Sequence, residues 1–257
     1  MGDLERCLDF ISRMAHRAAK RKETSPYGVA LLDPELPTVW SRNYLLLNSG
    51  ADASAAELAA ETDRLLGEIG SRHRKVEVFD ADAGDRLEPG FRELGWQAEC
   101  DVLMVARRDP DRPADTSIVD EVTADELVPA WTEGWRTDPH VLDEDVIRQL
   151  VESRRRLPEV VDTRFFAAHV DGEVASYCEL YSAGSTAQIE NVLTLERFRK
   201  RGLARATVSR ALEESRAAGD GLTFLIAGRD NWPKELYAKL GFDEVGRIWE
   251  FVRPRVA

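Results

Sequence analysis

The chain has 257 residues, of which 43% are hydrophobic and 32% are charged, as is typical of a globular protein. Its formal net charge of −12 disfavours nucleic acid as a general partner, because a phosphate backbone attracts basic surfaces. No apolar run approaches the ~20 residues of a membrane span, and three scattered cysteines favour neither a disulfide framework nor a zinc site. We therefore expect a cytoplasmic protein that binds no membrane, no nucleic acid and no metal.

The first half of the chain alternates helical and strand patterns. A period of three to four residues in the positions of Leu4, Leu8 and Ile11 predicts the first helix. Short apolar runs bounded by turn residues predict the strands. In chain order, the predicted elements are a helix (3–22), two strands (27–32, 44–48), a helix (54–69) and two strands (76–80, 100–106).

Residues 107–117 are charged, contain Pro110 and Pro113 and lack an apolar period, which indicates a linker. We place the first domain at 1–108, the linker at 109–116 and the second domain at 117–257. The second domain is predicted to contain, in order, a strand from 117, helices (128–135, 143–156), three strands (164–170, 173–182, 185–195), a helix (202–218), a strand (222–228), a helix (232–240) and a strand (247–252).

The most informative segment is a turn between the strand 185–195 and the helix that follows it. Arg199, Gly202 and Ala204 form an Arg-x-x-Gly-x-Ala pattern there. Such a turn can aim several backbone N–H groups at one point beside the positive end of a helix dipole. Gly202 allows close backbone approach to a ligand. The pattern predicts an anion site, and flanking cations add charge: Lys200, Arg201 and Arg205.

A second motif occupies residues 231–242, which read Asn-Trp-Pro-Lys-Glu-Leu-Tyr-Ala-Lys-Leu-Gly-Phe. Its last six residues echo residues 91–96, Phe-Arg-Glu-Leu-Gly-Trp, and each six-residue segment precedes a short strand. The two halves of the chain therefore look like diverged copies of one unit.

The order of strand, Arg-x-x-Gly-x-Ala turn, helix, buried strand, Asn-bearing turn and Tyr-x-x-Leu-Gly-Phe helix resembles the GNAT superfamily of acetyl-CoA-dependent N-acetyltransferases. The resemblance covers residues 117–254 and rests on residues 199–204 and 231–242. The first half resembles a shortened, degenerate copy, so the whole chain resembles a tandem GNAT. This resemblance implies an α/β fold whose mixed, twisted sheet opens where acetyl-CoA enters between two parallel strands.

The same resemblance implies roles for individual residues. The strand 188–195 would pair its backbone with the pantetheine of acetyl-CoA, and the turn after it would hold the pyrophosphate. Tyr237 would lie near the thioester sulfur and donate a proton to the leaving thiolate. The cofactor-binding residues implied are Val192, Leu193, Thr194, Arg199, Lys200, Arg201, Gly202, Leu203, Ala204, Arg205 and Asn231.

Transfer to an amine also requires a base that makes the amine neutral. Glu190 is the first candidate, because burial on the central strand would raise its pKa into the working range of a base. Glu179, on the preceding strand, is the second. Glu190 could instead pair with an arginine. Asn231 could also cap the helix that follows it.

An acceptor pocket in this family is bordered by the first helices and the hairpin, which suggests aromatic contacts with the substrate. The candidate substrate-binding residues are Trp131, Trp135, Tyr177, Tyr181 and Glu179. The two tryptophans could equally be core residues between the halves.

The first half departs from the family pattern at the turn. Residues 48–54 contain no Arg-x-x-Gly-x-Ala pattern, and Asp52 and Glu57 place negative charge at the helix start, which repels a pyrophosphate. Phe91 stands where the second half has Tyr237. We expect no cofactor in this half, whose role would be structural support, closure of the acceptor pocket or formation of a homodimer.

The predicted function is direct transfer of an acetyl group from acetyl-CoA to a primary amine of a small molecule, without a covalent enzyme intermediate. Two alternatives remain at this point. One is a non-catalytic acyl-CoA-binding sensor, and the other is an interaction protein with a GNAT fold.

Overall fold

The computed structural model describes residues 1–141 and 143–254. Its helices and strands are, in chain order, α1 (Asp3–Ala18), β1 (Arg21–Ser25), β2 (Gly28–Leu32), β3 (Tyr44–Leu47), α2 (Ala55–Glu68), β4 (Arg74–Val78), α3 (Ala81–Glu93), β5 (Gln97–Ala106), β6 (Val119–Val122), α4 (Ala124–Arg136), α5 (Glu144–Arg155), β7 (Asp162–Val170), β8 (Glu173–Ala183), β9 (Thr186–Thr194), α6 (Leu203–Ala218), β10 (Leu222–Gly228), α7 (Pro233–Lys239) and β11 (Phe242–Arg253). The predicted α/β class is confirmed. Among the described helices, none combines the length and the apolar character that crossing a bilayer requires.

The chain divides into two compact units, each built from two segments. Unit 1 comprises Met1–Phe10 and Leu103–Val245, and unit 2 comprises Ile11–Val102 and Gly246–Ala257. The predicted linker 109–116 falls inside unit 1. The last three residues of the predicted second domain, 255–257, lie outside the described residues.

Unit 1 contains the strands β10, β9, β8, β7 and β6 in that order across the sheet. Strands β6 to β9 pair antiparallel, whereas β10 lies parallel to β9. Successive residues of β8 point to opposite faces. The Sγ atom of Cys178 contacts the Thr207 carbonyl of α6, whereas the hydroxyl of Tyr177 faces Gly134 of α4. Helix α6 therefore covers one face of the sheet and helix α4 the other.

Unit 2 contains the strands β1, β2, β3, β4 and β11 in that order. Only β3 and β4 are parallel, with α2 as the crossover between them. The last strand of the chain supplies Trp249 and Phe251, which lie opposite Val78 and Val76 of β4 and belong to the hydrophobic core of this unit. Residues from both ends of the sequence thus form one core.

The predicted first helix, 3–22, is too long. Helix α1 ends at Ala18, and Arg21 and Lys22 already belong to β1. Strand β1 is short, polar and mostly exposed, so it shows neither the apolar alternation nor the β-branched composition from which a strand is predicted. Its pairing with β2 is what makes it a strand.

Gly84 is a position where close packing can be tested. A Cβ atom on Gly84 of α3 would lie 2.0 Å from Cδ1 of Trp249, whose Nε1 donates to Asp85 Oδ1 at 3.0 Å. Alanine favours a helix over glycine by about 1 kcal/mol, but overpacking a core costs about 1–3 kcal/mol. We expect Gly84→Ala to lower the free energy of unfolding by up to about 2 kcal/mol in urea titrations.

Gly67→Ala in α2 is the matched control, because its Cβ would meet only the flexible end of Arg74 at 3.4 Å. The control should equal or exceed the wild type in stability, since only the helix propensity changes. Equal gains in both variants would show that the indole does not close over Gly84.

Candidate active site

Strands β9 and β10 begin as a regular parallel pair and then separate. They stay in register from the pair Thr186 and Leu222 to the pair Ile189 and Leu225. Strand β9 then continues to Thr194 with no registered partner on β10 among the described residues. The first four residues of β9 are buried, whereas the last five are half-buried. Backbone groups of this second part are therefore available on the β10 side.

A β-bulge on β9 accompanies the separation. Leu193 stands opposite Tyr177 and Glu190 opposite Glu179, so β9 uses one more residue than β8 over this span. Asn191 in the bulge has a φ of 51°, a left-handed conformation that asparagine tolerates better than most residues. A bulge of this kind re-aims side chains at the point where strand pairing ends.

The turn 199–202 follows β9 at its open end. Lys200 and Gly202 have φ angles of 64° and 82°, so the chain turns sharply here. Gly202 is the N-cap residue of α6, and no side chain of the described residues caps this helix start. The N–H groups of the first turn of α6 are consequently left for a ligand or for water.

The cations of this turn are exposed and available. Arg199, Lys200 and Arg201 lie within ion-pair distance of no carboxylate in residues 1–141 and 143–254. Arg199 only donates from Nε to the Thr194 carbonyl at 3.3 Å, and the Arg201 guanidinium lies 5.6 Å from the centre of the Phe198 ring. In an acidic chain, three such cations beside an open helix start fit an anion.

Arg205 differs from the other predicted cations. It is buried, and its Nη1 lies 2.7 Å from Asp111 Oδ1 and 3.4 Å from the Arg112 carbonyl. The ion pair directs this side chain to the segment that was predicted as a linker. A pyrophosphate contact through the Arg205 side chain would require that ion pair to break.

Tyr237 lies close enough to Glu190 to be influenced by its charge. Tyr237 is only 7% exposed, and its ring packs edge-on against Phe242 with centroids 6.4 Å apart. Burial raises the pKa of the Tyr237 phenol, and the negative charge of Glu190 raises it further. The phenol therefore keeps its proton at neutral pH, as a proton donor requires.

Burial also raises the pKa of Glu190, whereas the nearby Arg154 lowers it. Gln188 Nε2 donates to Glu190 Oε2 at 2.8 Å. This environment moves the carboxylate in the direction that was predicted for a base. The base role itself stays a prediction.

Two of the predicted acceptor residues, Trp131 and Tyr177, lie in different surroundings. Trp131 is fully buried and packs against Trp135 and Phe165, with ring centroids 6.1 Å and 5.8 Å away. It is thus a core residue of unit 1, although its Nε1 has no hydrogen-bond partner among the described residues. The Tyr177 hydroxyl, in contrast, lies against helix α4, where a Cβ on Gly134 would be 3.4 Å away.

A cavity of about 320 Å³ lies beside the open end of β9. Leu193, Thr194 and Arg199 from the predicted cofactor set line it, together with Glu133 and Gly134 of α4. Part of the predicted cofactor set is therefore gathered around one cavity of unit 1. The described residues contain no cluster of histidine, cysteine, aspartate and glutamate that could hold a metal ion.

Asn231 lies in the exposed turn after β10. Its backbone N–H donates to the Gly228 carbonyl at 3.1 Å, and its side chain lies over Gly228, where a Cβ would be 2.2 Å from Nδ2. The N-cap residue of α7 is Trp232, so Asn231 precedes the helix and does not cap it. The amide side chain is left near the end of β10.

The corresponding helix start in unit 2 is built differently. Ser54 caps α2 by accepting from the Glu57 N–H at 3.3 Å, and Glu57 Oε2 accepts from the Ser54 N–H at 2.9 Å. A carboxylate thus occupies this helix start, where α6 has exposed cations. Phe91, at the position of Tyr237, is buried and stacks on Phe251 at 4.3 Å.

Two residues of the site were not singled out from the sequence. Arg154 and Asn191 both hydrogen-bond to Glu179, at 3.2 Å and 2.5 Å. Asparagine is depleted in strands, so an Asn in the middle of a strand pattern could have indicated the bulge. Arg154 is one of three consecutive arginines, and no local pattern distinguishes it from the other two.

A comparison with protein families finds a match in the second half of the chain. The model of the acetyltransferase (GNAT) family matches residues 122–242. A comparison with curated proteins gives no match.

Several solved structures share the fold over nearly the whole chain. A functionally unknown conserved protein from Staphylococcus epidermidis has a TM-score of 0.70 at 15% identity, covering 92% of this chain and 94% of that one. A GCN5-related N-acetyltransferase from Kribbella flavida has a TM-score of 0.63 at 19% identity, covering 99% and 96%. A tandem GNAT protein from the clavulanic acid biosynthesis pathway has a TM-score of 0.55 at 15% identity, covering 100% and 97%.

These likenesses concern the fold alone. They confirm the predicted GNAT fold, and the tandem layout agrees with the third of these structures. The family match covers the segment that carries the open strand pair and the cationic turn. Residues 122–242 thus form a domain that matches the acetyltransferase (GNAT) family.

Proposed function

We propose that this protein is an acetyl-CoA-dependent N-acetyltransferase that transfers the acetyl group directly to a primary amine of a small molecule. The observation that carries this proposal is the separation of β9 from β10 beside an exposed, cationic turn and an uncapped helix start. Membership of the acetyltransferase family supports acetyl transfer in general.

The donor set of the turn fits a pyrophosphate. Its negative charge would be balanced by Arg199, Lys200 and Arg201. The N–H groups at the start of α6 would donate hydrogen bonds to its oxygens. The half-buried backbone of residues 192–194 would pair with the pantetheine, and Asn231 would contact the same arm. When bound, acetyl-CoA supplies an activated acetyl group.

The remaining chemistry belongs to side chains of the protein. Glu190, with its raised pKa, would accept a proton from the ammonium form of the acceptor and leave the neutral amine as the nucleophile. Tyr237 holds a proton at its phenolic oxygen, ready for a leaving sulfur. Packing against Phe242 fixes the orientation of the Tyr237 ring.

The net charge of the protein supports a cationic acceptor, and the state of its cysteines supports a cytoplasmic location. A net charge of −12 attracts a cationic amine to the protein. Cys7, Cys100 and Cys178 are all free and buried, as is usual in a reducing cytoplasm.

Two measurements test the proposal. Calorimetric titration of the full chain with acetyl-CoA should show binding, and a panel of small-molecule amines should reveal at least one acceptor by release of free CoA. Binding without release for every amine would favour the non-catalytic sensor. The absence of binding would exclude both the enzyme and the sensor.

A further inference from the structure

A buried ion pair lies behind the bulge of β9. Arg154, near the end of α5, places Nη1 3.2 Å from Glu179 Oε2 and 3.0 Å from the Tyr181 hydroxyl. Glu179 is 0% exposed, and the Arg154 side chain is 24% exposed. Glu179 is also the cross-strand neighbour of Glu190. Two opposite charges are therefore held beside the predicted base.

The Glu179 carboxylate is fully engaged by the protein. Its Oε2 accepts from Arg154 and from the Tyr181 hydroxyl, and its Oε1 accepts from Asn191 Nδ2 at 2.5 Å. Glu179 is 0% exposed and already bound by three side chains of the protein, which disfavours it as a substrate contact or as the base. Its contact with Asn191 connects it to the bulge of β9.

A hydrogen bond joins the bulge to this carboxylate. Asn191 holds a left-handed φ of 51°, a conformation that is unfavourable for most residues other than glycine. A hydrogen bond to a buried charged group is stronger than one between neutral groups, so the contact with Glu179 helps to hold that conformation. Asn191 directly follows Glu190, so the same contact fixes the backbone that carries the predicted base.

We propose that Arg154 and Glu179 are positioning residues, which together hold the bulge at Asn191 and place two opposing charges against Glu190. The inference rests on the proposed function only in taking Glu190 as the base. It concerns residues that lie outside the pyrophosphate turn and, in our interpretation, do not touch acetyl-CoA.

Several described elements contribute groups to the environment of Glu190. Strand β8 contributes Glu179 and Tyr181, helix α5 contributes Arg154, helix α7 contributes Tyr237, and β9 itself contributes Gln188 and Asn191. Burial is the largest cause of the raised pKa of Glu190, Arg154 opposes it, and Glu179 adds to it. The two members of the ion pair thus act on Glu190 in opposite directions.

Because the two charges act on Glu190 in opposite directions, removing each in turn distinguishes an effect of charge from a loss of packing. Arg154→Gln removes the cation and should move the titration midpoint of Glu190 to higher pH by about one unit or more. Glu179→Gln keeps the shape and removes the anion, so it should move the midpoint to lower pH. Arg154→Lys keeps the cation and should stay near the wild type.

The midpoint is measured without a substrate. The full chain is labelled with ¹³C at the glutamate side-chain carboxyl carbons, and the Glu190 signal is assigned by its loss in Glu190→Gln. Arg155→Gln is the matched control, because Arg155 pairs with Asp125 on the exposed surface. It should leave the Glu190 midpoint unchanged. If Arg154→Gln does not fold, Arg154→Met removes the same charge.

Shifts in the same direction, or no shift, would overturn the inference. Its fate can be separated from that of the proposed function. Opposite shifts in a protein that acetylates no amine would support the ion pair and refute the enzyme. An active enzyme whose Glu190 midpoint responds to neither substitution would support the proposed function and refute the role of the ion pair. With an acceptor in hand, the acidic limb of the kcat/KM profile should follow the same two directions.

Discussion

Replacing Tyr237 by phenylalanine is expected to lower kcat for acetyl transfer about 10²–10⁴-fold, which is what a positioned general acid contributes. The dissociation constant of acetyl-CoA should change by less than about threefold, or under 1 kcal/mol. The reason is geometric: the ring is buried against Phe242, so the substitution removes only the phenolic oxygen. Single-turnover kinetics at saturating acetyl-CoA measure the chemical step, and calorimetry measures binding.

Tyr27→Phe serves as the control for this substitution. Tyr27 lies in unit 2 and packs against the core of that unit. Its loss of a hydroxyl should leave kcat unchanged. A Tyr237→Phe enzyme with full kcat would eliminate the phenol as proton donor and leave that role to water or to another group.

Reversing the charge of Arg199 is expected to weaken acetyl-CoA binding at least about 100-fold. A hydrogen bond to a charged group contributes about 1.5–3 kcal/mol, and each 1.4 kcal/mol is a factor of ten in Kd. Arg199→Glu removes one such contact and adds repulsion at the helix start. Because Arg199 pairs with no carboxylate of the described chain, the variant loses no ion pair and should keep its melting temperature.

Arg148→Glu is the matched control, since it changes the net charge equally at an exposed position of α5. Its Kd for acetyl-CoA should equal that of the wild type. Equal weakening in both variants would indicate a general field effect. Unchanged affinity in Arg199→Glu would remove the pyrophosphate from this turn. Raising the salt concentration should weaken wild-type binding, because the turn is exposed and its charges are screened.

The parts of the site that could be predicted from the sequence are local in the chain. The turn 199–202 and the helix after it are specified by neighbouring residues, since a glycine with positive φ and the apolar period of α6 both lie within about 20 residues. The same holds for the capping box of Ser54 and Glu57, which was expected only as an acidic helix start.

The parts that could not be predicted depend on contacts between distant segments. Arg205 has the charge and the position of a phosphate ligand, and only its pairing with Asp111 shows another role. Arg154 reaches Glu179 from a different helix. Strand β1 is fixed by its partner β2 rather than by its own composition. No periodic pattern among neighbouring residues predicts contacts of this kind.

The pairing of β11 with β4 has a consequence for synthesis on the ribosome. The residues of β4 are made long before their partner residues from Trp249 to Arg253, because about 170 residues separate the two strands in the chain. At about 5–20 residues per second, the edge of β4 waits on the order of ten seconds or more for its neighbour. An unpaired strand edge is a template for aggregation. We therefore expect the nascent chain either to be shielded by a chaperone or to remain loosely folded until β11 has been made.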